Sequence, residues 1–442
     1  MLLIKENLLK KRSEDFLNQL ERIILWFLVF LSPSQLIKHF WPSWSLIFGI
    51  RVDYLSLSIS LSEVLIIALF LSWFFKILLF EKKELKKIFL LISNFWFFGL
   101  ISLFLVNLFF SDYKINTLFS WSRVFLLLWL FYYLTFYQKR RFSDWFFKPA
   151  SFSLILFGFL ALFQFIKGST FGSLFYWLGE RSFNKNTPGI ALVSLMGIDF
   201  LRPYSTFSHP NSLAGFFGLF LILFLSFIPN SSFEVFLKRS VLSFSFFVFL
   251  LSFSRGSFLA LLFCLFVFWL SKRKKLSEVC FWLVTPVFLV SLFSLFISDY
   301  WKEISFLDKN IRERFSLIMS TKDVFIKHPV FGVGLNNFIL KTSYTFDIKA
   351  INYRLQPVHN IYLLVLSELG FFGFLFFYLT LLKIAHVASL ILKPWFFLAL
   401  TFVIISGVAD HYWLTLTQNR LALVFLISGI FQEKNGKGKN YR

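Results

Sequence analysis

Two arginines stand at positions where their charge needs a partner, and together they suggest a site for an anion. Arg255 is flanked on both sides by apolar residues. An arginine at mid-membrane costs about 2.5–3.5 kcal/mol unless it pairs with an anion or faces a cavity. Arg202 lies in a polar stretch just before another apolar run. Because the planar guanidinium group donates two parallel hydrogen bonds, the pair is suited to phosphate.

A histidine and several smaller polar groups extend this candidate site. His359 follows Pro357 and begins an apolar run; a helix N-terminus disfavours a positive charge, and a neutral imidazole can act as a general base. Six further residues are expected to support the site: Asn211, Ser254, Asn360, Arg312, Arg314 and Glu368. Simpler explanations stay open at this point: Arg255 could extend towards lipid phosphates, Arg202 could be a loop charge, and His359 could cap a helix.

The same sequence argues against several other chemistries. Asp-x-Asp is absent, and the long polar segments show no tight cluster of Asp, Glu and His along the chain. Neither a catalytic metal nor another cofactor is therefore expected. The Gly-Val-Gly segment at 332–334 lacks the third glycine of a dinucleotide-binding loop. Cys264 and Cys280 are expected to pack inside apolar runs, while Gly370 and Gly373 are expected to allow close helix packing.

The composition indicates which elements must hold these residues. Of the 442 residues, 57% are hydrophobic and only 15% are charged, whereas an average soluble domain has roughly 25% charged residues. A soluble fold could not bury so much apolar surface, so the sequence predicts an all-α, polytopic integral membrane protein. It contains twelve apolar runs that we interpret as spans, near residues 23–40, 62–80, 88–110, 118–137, 149–167, 211–229, 240–254, 256–271, 279–298, 360–382, 394–409 and 413–431. The run at 240–254 is short for a full crossing.

The distribution of basic residues predicts the orientation of these runs. Short basic clusters fall between alternate runs, as the positive-inside rule requires, so both termini are expected in the cytoplasm. The net charge of +22 resides largely in these clusters, which favours membrane orientation over nucleic-acid binding. The predicted organisation is a cytoplasmic amphipathic segment at 1–22, a membrane domain at 23–431 and a basic cytoplasmic tail at 432–442.

Two long loops are expected on the outer side, at about 168–210 and, between spans 9 and 10, at about 299–358. Because loops of this length can hold functional residues and the short inner turns rarely can, the chemistry is expected on the outer face. The second loop should contain an amphipathic helix that ends at His328-Pro329. Its apolar face follows from the spacing of Ile311, Phe315, Ile318 and Met319.

Four polar segments occur in the order found in a known family. They are Arg202-Pro-Tyr-Ser-Thr-Phe-Ser-His-Pro-Asn211, Ser254-Arg255-Gly256, His328-Pro329 to Gly334, and His359-Asn360 followed after nine residues by Gly370-Phe-Phe-Gly373. With these segments the chain resembles the O-antigen ligase and polymerase family of bacterial inner-membrane glycosyltransferases. Ser205 stands where that family usually has glycine.

The resemblance implies a twelve-span helical fold in the bacterial inner membrane, with its site facing the periplasm. The donor would be a glycan on undecaprenyl diphosphate. The acceptor would be a sugar hydroxyl of the lipid A core in a ligase, or a second lipid-linked repeat in a polymerase. Carried over to this sequence, Arg202 and Arg255 would bind the donor diphosphate and His359 would act as the base. The resemblance thus implies an inverting transfer, with membrane lipids as partners and without a metal or nucleic acid.

A transporter of a small anion is the alternative from another class. Such a protein should place charged residues along a path through the middle of the membrane and show broken helices in both halves. Here the informative charges are expected to gather at one face, which favours an enzyme.

Overall fold

Helices account for most of the structure. The computed structural model describes residues 2–81, 83, 95–271, 276–297, 309–342 and 355–437. Numbered in chain order, the helices in these ranges are α1 (Leu2–Phe30), α2 (Leu61–Leu79), α3 (Phe95–Phe110), α4 (Lys114–Tyr132), α5 (Phe142–Lys167), α6 (Pro210–Phe224), α7 (Ser232–Leu251), α8 (Arg255–Ser271), α9 (Leu276–Ile297), α10 (Lys309–Lys327), α11 (Phe338–Thr342), α12 (Ile361–Ser389), α13 (Pro394–Ala409), α14 (Tyr412–Thr415) and α15 (Thr417–Lys437).

Short strands occur only between helices in the described ranges, where they form antiparallel pairs. The pairs are β1 (Ile37–Phe40) with β4 (Leu57–Ser60), β2 (Leu46–Ile47) with β3 (Ile50–Arg51), and β5 (Leu192–Leu195) with β6 (Ile198–Leu201). The first two pairs lie in the connection between α1 and α2, and the third lies in the long connection between α5 and α6.

The helices have the length and composition of a membrane protein. Within the described ranges, four helical stretches are long and apolar enough to cross a membrane: Leu61–Leu79, Lys114–Tyr137, Phe142–Lys167 and Ile361–Ser389. Shorter apolar helices are Trp96–Phe110, Pro210–Phe224, Arg255–Leu270, Trp282–Ile297 and Pro394–Ala409. The chain is thus a mainly helical protein of polytopic membrane type, while the count of twelve spans and their orientation stay predictions.

The first apolar run differs from its predicted form. In the structure α1 is continuous from the amphipathic N-terminal segment to Phe30, and the end of the predicted run at 37–40 is strand β1. Pro33 follows the helix closely. Proline has no N–H to donate and disfavours helical geometry in the residue before it, so the helix ends before the predicted run does.

The helix expected in the second long loop is confirmed. α10 begins at Lys309 and ends at Lys327, immediately before His328-Pro329. The helix packs against α12, but its buried side is that of Leu317, Ser320, Thr321 and Val324, whereas Ile311 of the predicted apolar face is exposed. The spacing thus predicted the helix but not the side of it that is buried.

Helix packing brings four helix ends together. The core helix α6 is buried along nearly its whole length and packs against α7 and α13, while α8 packs against α13 and α13 against α12. As a result the N-terminal ends of α6, α8 and α12 lie beside the C-terminal end of α13. These ends hold the polar residues described below.

Two glycines join the 328–334 segment to α12. Gly370, at φ +67°, interrupts α12, and Gly332 has φ +68°. A Cβ on Gly370 would lie 2.4 Å from the backbone of Val330, and one on Gly332 would lie 2.4 Å from the backbone of Glu368. The Gly334 N–H donates to the Glu368 carbonyl at 3.0 Å. The absence of a side chain at Gly370 thus lets the backbone of the 328–334 loop pack against α12, whereas the sequence predicted close packing of another helix there.

Candidate active site

The segment that contains Arg202 is fixed by a buried glutamine of α5. The Gln164 Oε1 atom accepts the backbone N–H groups of Tyr204 and Ser205 at 3.1 and 2.6 Å. Its Nε2 atom donates to the Ser205 carbonyl at 2.9 Å and to the Glu180 carboxylate at 2.6 Å. Because both ends of the amide have partners, Gln164 holds this stretch of backbone in one conformation.

Ser205 explains why glycine is usual at this position of the family that the chain resembles. Its φ is +52°, in the left-handed region that glycine adopts without strain. The Ser205 Oγ atom donates to the Phe157 carbonyl at 2.9 Å, and this hydrogen bond offsets part of the backbone strain.

We expect Ser205→Gly to leave stability nearly unchanged and Ser205→Val to lower it by about 2 kcal/mol or more. Glycine removes about 1–2 kcal/mol of left-handed strain but loses a hydrogen bond that contributes about 1 kcal/mol. Valine loses the same bond and, being branched at Cβ, fits the left-handed region poorly. Thermal unfolding of the purified variants in detergent measures the difference; equal losses in both variants would contradict this explanation.

Arg202 is the first member of a hydrogen-bonded chain across the site. Its Nε atom donates to the Ser252 carbonyl at 2.7 Å, and its Nη2 atom donates to Asn211 Oδ1 at 2.8 Å. Asn211 Nδ2 in turn donates to Asp410 Oδ2 at 3.0 Å. Burial lowers the pKa of the Arg202 guanidinium, and the nearby positive charge of Arg255 acts in the same direction. An anion placed between the two arginines would relieve this repulsion.

Arg255 begins α8 and is exposed. Within the described part of the chain its guanidinium makes no hydrogen bond or ion pair, so it is available to a ligand. The next residue, Gly256, lies against the end of α13, where an added Cβ would come within 2.8 Å of the Ala409 Cβ. A glycine here lets α8 begin directly beside Asp410.

His359 is held at the start of α12 by the residue that follows it. The Asn360 Oδ1 atom accepts the N–H groups of Tyr362 and Leu363 at 2.9 and 3.1 Å, as an N-cap does. The Asn360 Nδ2 atom donates to Ser291 Oγ of α9 at 3.1 Å. The helix end is therefore anchored, and the orientation of the His359 ring depends mainly on its own contacts.

The main contact of His359 is with Asp410. Its Nδ1 atom lies 3.3 Å from Asp410 Oδ1, and the His359 side chain is 18% exposed. A carboxylate beside Nδ1 keeps the proton on that nitrogen and leaves a lone pair on Nε2. This is the arrangement of a general base, His359, whose ring is oriented by the Asp410 carboxylate.

Asp410 and His411 form the buried floor of the site, with 8% and 4% exposure. The Asp410 Oδ1 atom also accepts the His411 backbone N–H at 2.8 Å. Burial alone would raise the pKa of Asp410, but His359 and Arg314 outweigh it and hold the pKa well below the usual range. Burial lowers the pKa of His411 to about 3, so this ring is neutral at physiological pH.

Side chains from three other segments complete the walls. The Tyr54 ring meets the His411 ring edge to face, with centroids 5.5 Å apart. Arg314 of α10 donates to the Ala409 carbonyl at 2.7 Å. Arg181 donates to the Ser208 carbonyl at 2.6 Å. Arg202, through Asn211, and Arg314 thus place positive charge beside the His359–Asp410 pair, which suits a substrate with several negative charges.

One of the comparisons with known proteins identifies a family. Residues 240–378 match the O-antigen ligase family. This match confirms, for that part of the chain, the family resemblance drawn from the four motifs. No curated protein and no solved structure matches the chain. The family supports a membrane protein with an O-antigen ligase or polymerase type of function.

The O-antigen ligase match covers only part of the site. Arg255 and His359 lie within residues 240–378, whereas Arg202, Asn211 and Asp410 lie outside them. The structure nevertheless places all five together. Their association therefore rests on hydrogen bonds and helix packing in this chain, in addition to the family match.

Two supporting residues predicted from the sequence, Glu368 and Arg312, and the predicted helix-packing residue Gly373 have other surroundings. Glu368 is buried, and its carboxylate accepts backbone hydrogen bonds from Asn336 and Phe338, so it stabilises the loop docked on α12. Arg312 is exposed on α10 and makes no polar contact within the described ranges. A Cβ on Gly373 would lie 2.2 Å from the Leu369 Cβ of its own helix.

Ser254 lies at the edge of the site, and its side chain makes contacts that stabilise the start of α8. Its Oγ atom donates to Ser257 Oγ at 3.1 Å, and Ser257 Oγ lies 3.5 Å from the Tyr412 hydroxyl. These contacts connect the start of α8 to the residues that follow Asp410. Ser254 thus supports the position of Arg255.

Sequence reasoning missed Asp410 and His411. It found no tight cluster of Asp, Glu and His along the chain, yet the fold places one ligand atom each from His359, Asp410 and His411 within 4.8 Å of one another. The cluster was missed because His359 is 51 residues from Asp410. An ionisable pair in the short turn between the apolar runs 394–409 and 413–431 was the available signal.

Proposed function

We propose that the protein is a glycosyltransferase of the O-antigen ligase type. It would move a glycan from undecaprenyl diphosphate to an acceptor hydroxyl, of the lipid A core or a similar glycan, on the periplasmic face. The observation that supports this most is the His359–Asp410 pair at 3.3 Å beside Arg202 and Arg255. A base and two phosphate-binding arginines are what such a transfer requires.

The proposed reaction is a single displacement. His359 Nε2 accepts the proton of the acceptor hydroxyl while its oxygen attacks the anomeric carbon of the donor sugar. The bond between that carbon and the diphosphate oxygen breaks, and undecaprenyl diphosphate leaves with the electron pair. Attack opposite the leaving group inverts the anomeric carbon. The Asp410 carboxylate stabilises the imidazolium that forms.

The arginines act on the leaving group. Negative charge on the diphosphate grows as the glycosidic bond breaks, and fixed positive groups stabilise that growth more than they stabilise the bound donor. Arg202 is already oriented by Ser252 and Asn211, whereas Arg255 is free to approach the donor. We propose that they replace the divalent metal used by other diphosphate-dependent transferases, so the reaction needs no metal.

Asp410→Asn is expected to lower kcat by about 10²–10⁴-fold with little change in the KM of the donor. The carboxylate accepts hydrogen bonds from His359, Asn211 and the His411 N–H, and a neutral amide cannot accept all three, so the ring loses the partner that fixes its proton on Nδ1 and stabilises the imidazolium. Asp410→Glu should recover part of the rate because it keeps a carboxylate. The exposed Asp199 on β6 offers a matched control, Asp199→Asn, which should behave as wild type. A large rise in donor KM without loss of kcat would show that Asp410 acts on binding.

A transfer assay with purified protein tests the proposed function directly. It supplies a labelled undecaprenyl diphosphate oligosaccharide, without metal or nucleotide sugar, and with or without a lipid A core acceptor. A single shifted product that requires the acceptor indicates a ligase. A ladder formed from the donor alone indicates a polymerase of the same family. Absence of both products, with the donor bound, would reject the transfer reaction and favour anion transport.

A further inference from the structure

Half of the chain's histidines gather at the site. Of six histidines in the sequence, His359 and His411 have ring centroids 5.1 Å apart. His209 caps α6: its Nδ1 atom accepts the backbone N–H of Asn211 at 3.1 Å. Histidine is scarce in this chain, and three of its histidines converge near Asp410. Within this cluster, His359, Asp410 and His411 form a set of possible metal ligands unlike any other in the described residues.

This donor set has the composition of a transition-metal site. His359, Asp410 and His411 each offer one ligand atom, and these atoms lie within 4.8 Å of one another. Two imidazoles and a carboxylate suit Zn²⁺ and similar borderline ions and are poor for Mg²⁺. The group is mostly buried, and His359 provides the exposed edge through which an ion could enter.

The distances need only small adjustment to bind such an ion. Ligand atoms about 2.1 Å from a tetrahedral Zn²⁺ are separated from one another by about 3.4 Å. His359 Nδ1 and Asp410 Oδ1 are already 3.3 Å apart. Asn211 donates to the other carboxylate oxygen of Asp410 at 3.0 Å, and such a contact outside the ligands keeps a carboxylate oriented. Rotation of the His411 side chain could close the remaining gap.

We propose that His359, Asp410 and His411 form an inhibitory site for Zn²⁺ or a similar transition-metal ion. Metal at Nδ1 of His359 forces the ring proton onto Nε2, so the ring can no longer accept a proton from an acceptor hydroxyl. The inhibition rests on the proposed transfer function, whereas binding of the ion does not. Metal occupancy and catalysis are mutually exclusive in this arrangement.

Direct binding is the first test, on the full chain purified in detergent and stripped with a chelator. Calorimetric titration with Zn²⁺ should show one strong site, which Mg²⁺ does not fill. His411→Asn should weaken that site at least tenfold, because the amide can keep the hydrogen bond to Thr415 but is a poor zinc ligand. His359→Ala should also weaken it. The exposed His386 provides the control, since His386→Asn should bind as wild type. Absence of a strong site in the wild type, or unchanged binding in both site variants, would overturn the proposal.

Inhibition is the second test, in the transfer assay. Zn²⁺ should inhibit the wild type reversibly, with recovery on addition of EDTA. The Zn²⁺ concentration that halves each protein's own metal-free rate should be at least tenfold higher for His411→Asn than for the wild type. The two proposals fail differently. Zinc binding without any transfer would reject the proposed function and keep the metal site. Transfer that Zn²⁺ does not inhibit, or inhibits equally in His411→Asn, would reject the inhibitory site and keep the function.

Discussion

His359→Ala is expected to abolish glycan transfer, with a fall in kcat of about 10²–10⁴-fold and near-normal binding of the donor. Among the described residues, the His359 imidazole is the group placed both to accept a proton at Nε2 and to be oriented by Asp410 at Nδ1, where the contact is 3.3 Å. Its loss removes the proposed base and leaves the two arginines that we propose bind the diphosphate. Single-turnover transfer together with equilibrium binding of the labelled donor separates the two effects.

The His359 prediction has a control in the helix that follows His359. His386 is exposed near the C-terminal end of α12, so His386→Ala should keep wild-type transfer and wild-type thermal stability. His359→Gln retains a polar side chain of similar reach and should still be inactive, because an amide cannot accept the proton. Full transfer by His359→Ala would reject the assignment of the base.

Arg255→Ala is expected to produce the second large loss, of about 10²–10³-fold in kcat, without loss of folded protein. Because the Arg255 guanidinium is exposed and unpaired within the described ranges, its removal leaves no buried partner unsatisfied. Its proposed partner is the donor diphosphate, so donor affinity should fall as well. Transfer kinetics over a range of donor concentrations, alongside thermal unfolding, measure both.

Two further variants sharpen the Arg255 prediction. Arg255→Lys keeps the charge but loses the planar fork that donates two parallel hydrogen bonds, so its activity should lie between those of wild type and Arg255→Ala. Arg239 is exposed near the start of α7, and Arg239→Ala should behave as wild type if the effect depends on position rather than on net charge. Equal activity of Arg255→Ala and wild type would contradict a role in donor binding.

The predictions from sequence were strongest where one segment alone determines the structure. The amphipathic spacing in the second long loop predicted the helix α10 although not its buried side, and the apolar runs at 149–167, 360–382 and 394–409 fall on α5, α12 and α13. The predictions were less accurate at the ends and interruptions of helices. Pro33 ends α1 early, and Gly370 admits a loop, because both outcomes depend on which backbone lies next to the residue.

The sequence by itself determined the class of protein, the family over residues 240–378 and the side chains suited to phosphate and proton transfer. These follow from composition, local spacing and motifs, which are properties of single stretches of chain. Only the tertiary structure decided that Arg202, Asn211, Asp410 and His359 form one connected group. Asn211 and Asp410 are 199 residues apart in the chain, and their contact depends on the packing of α6 against α13. No local pattern encodes such a contact, because helix packing brings together residues that are distant in the chain, and the sequence around one of them contains no information about the other.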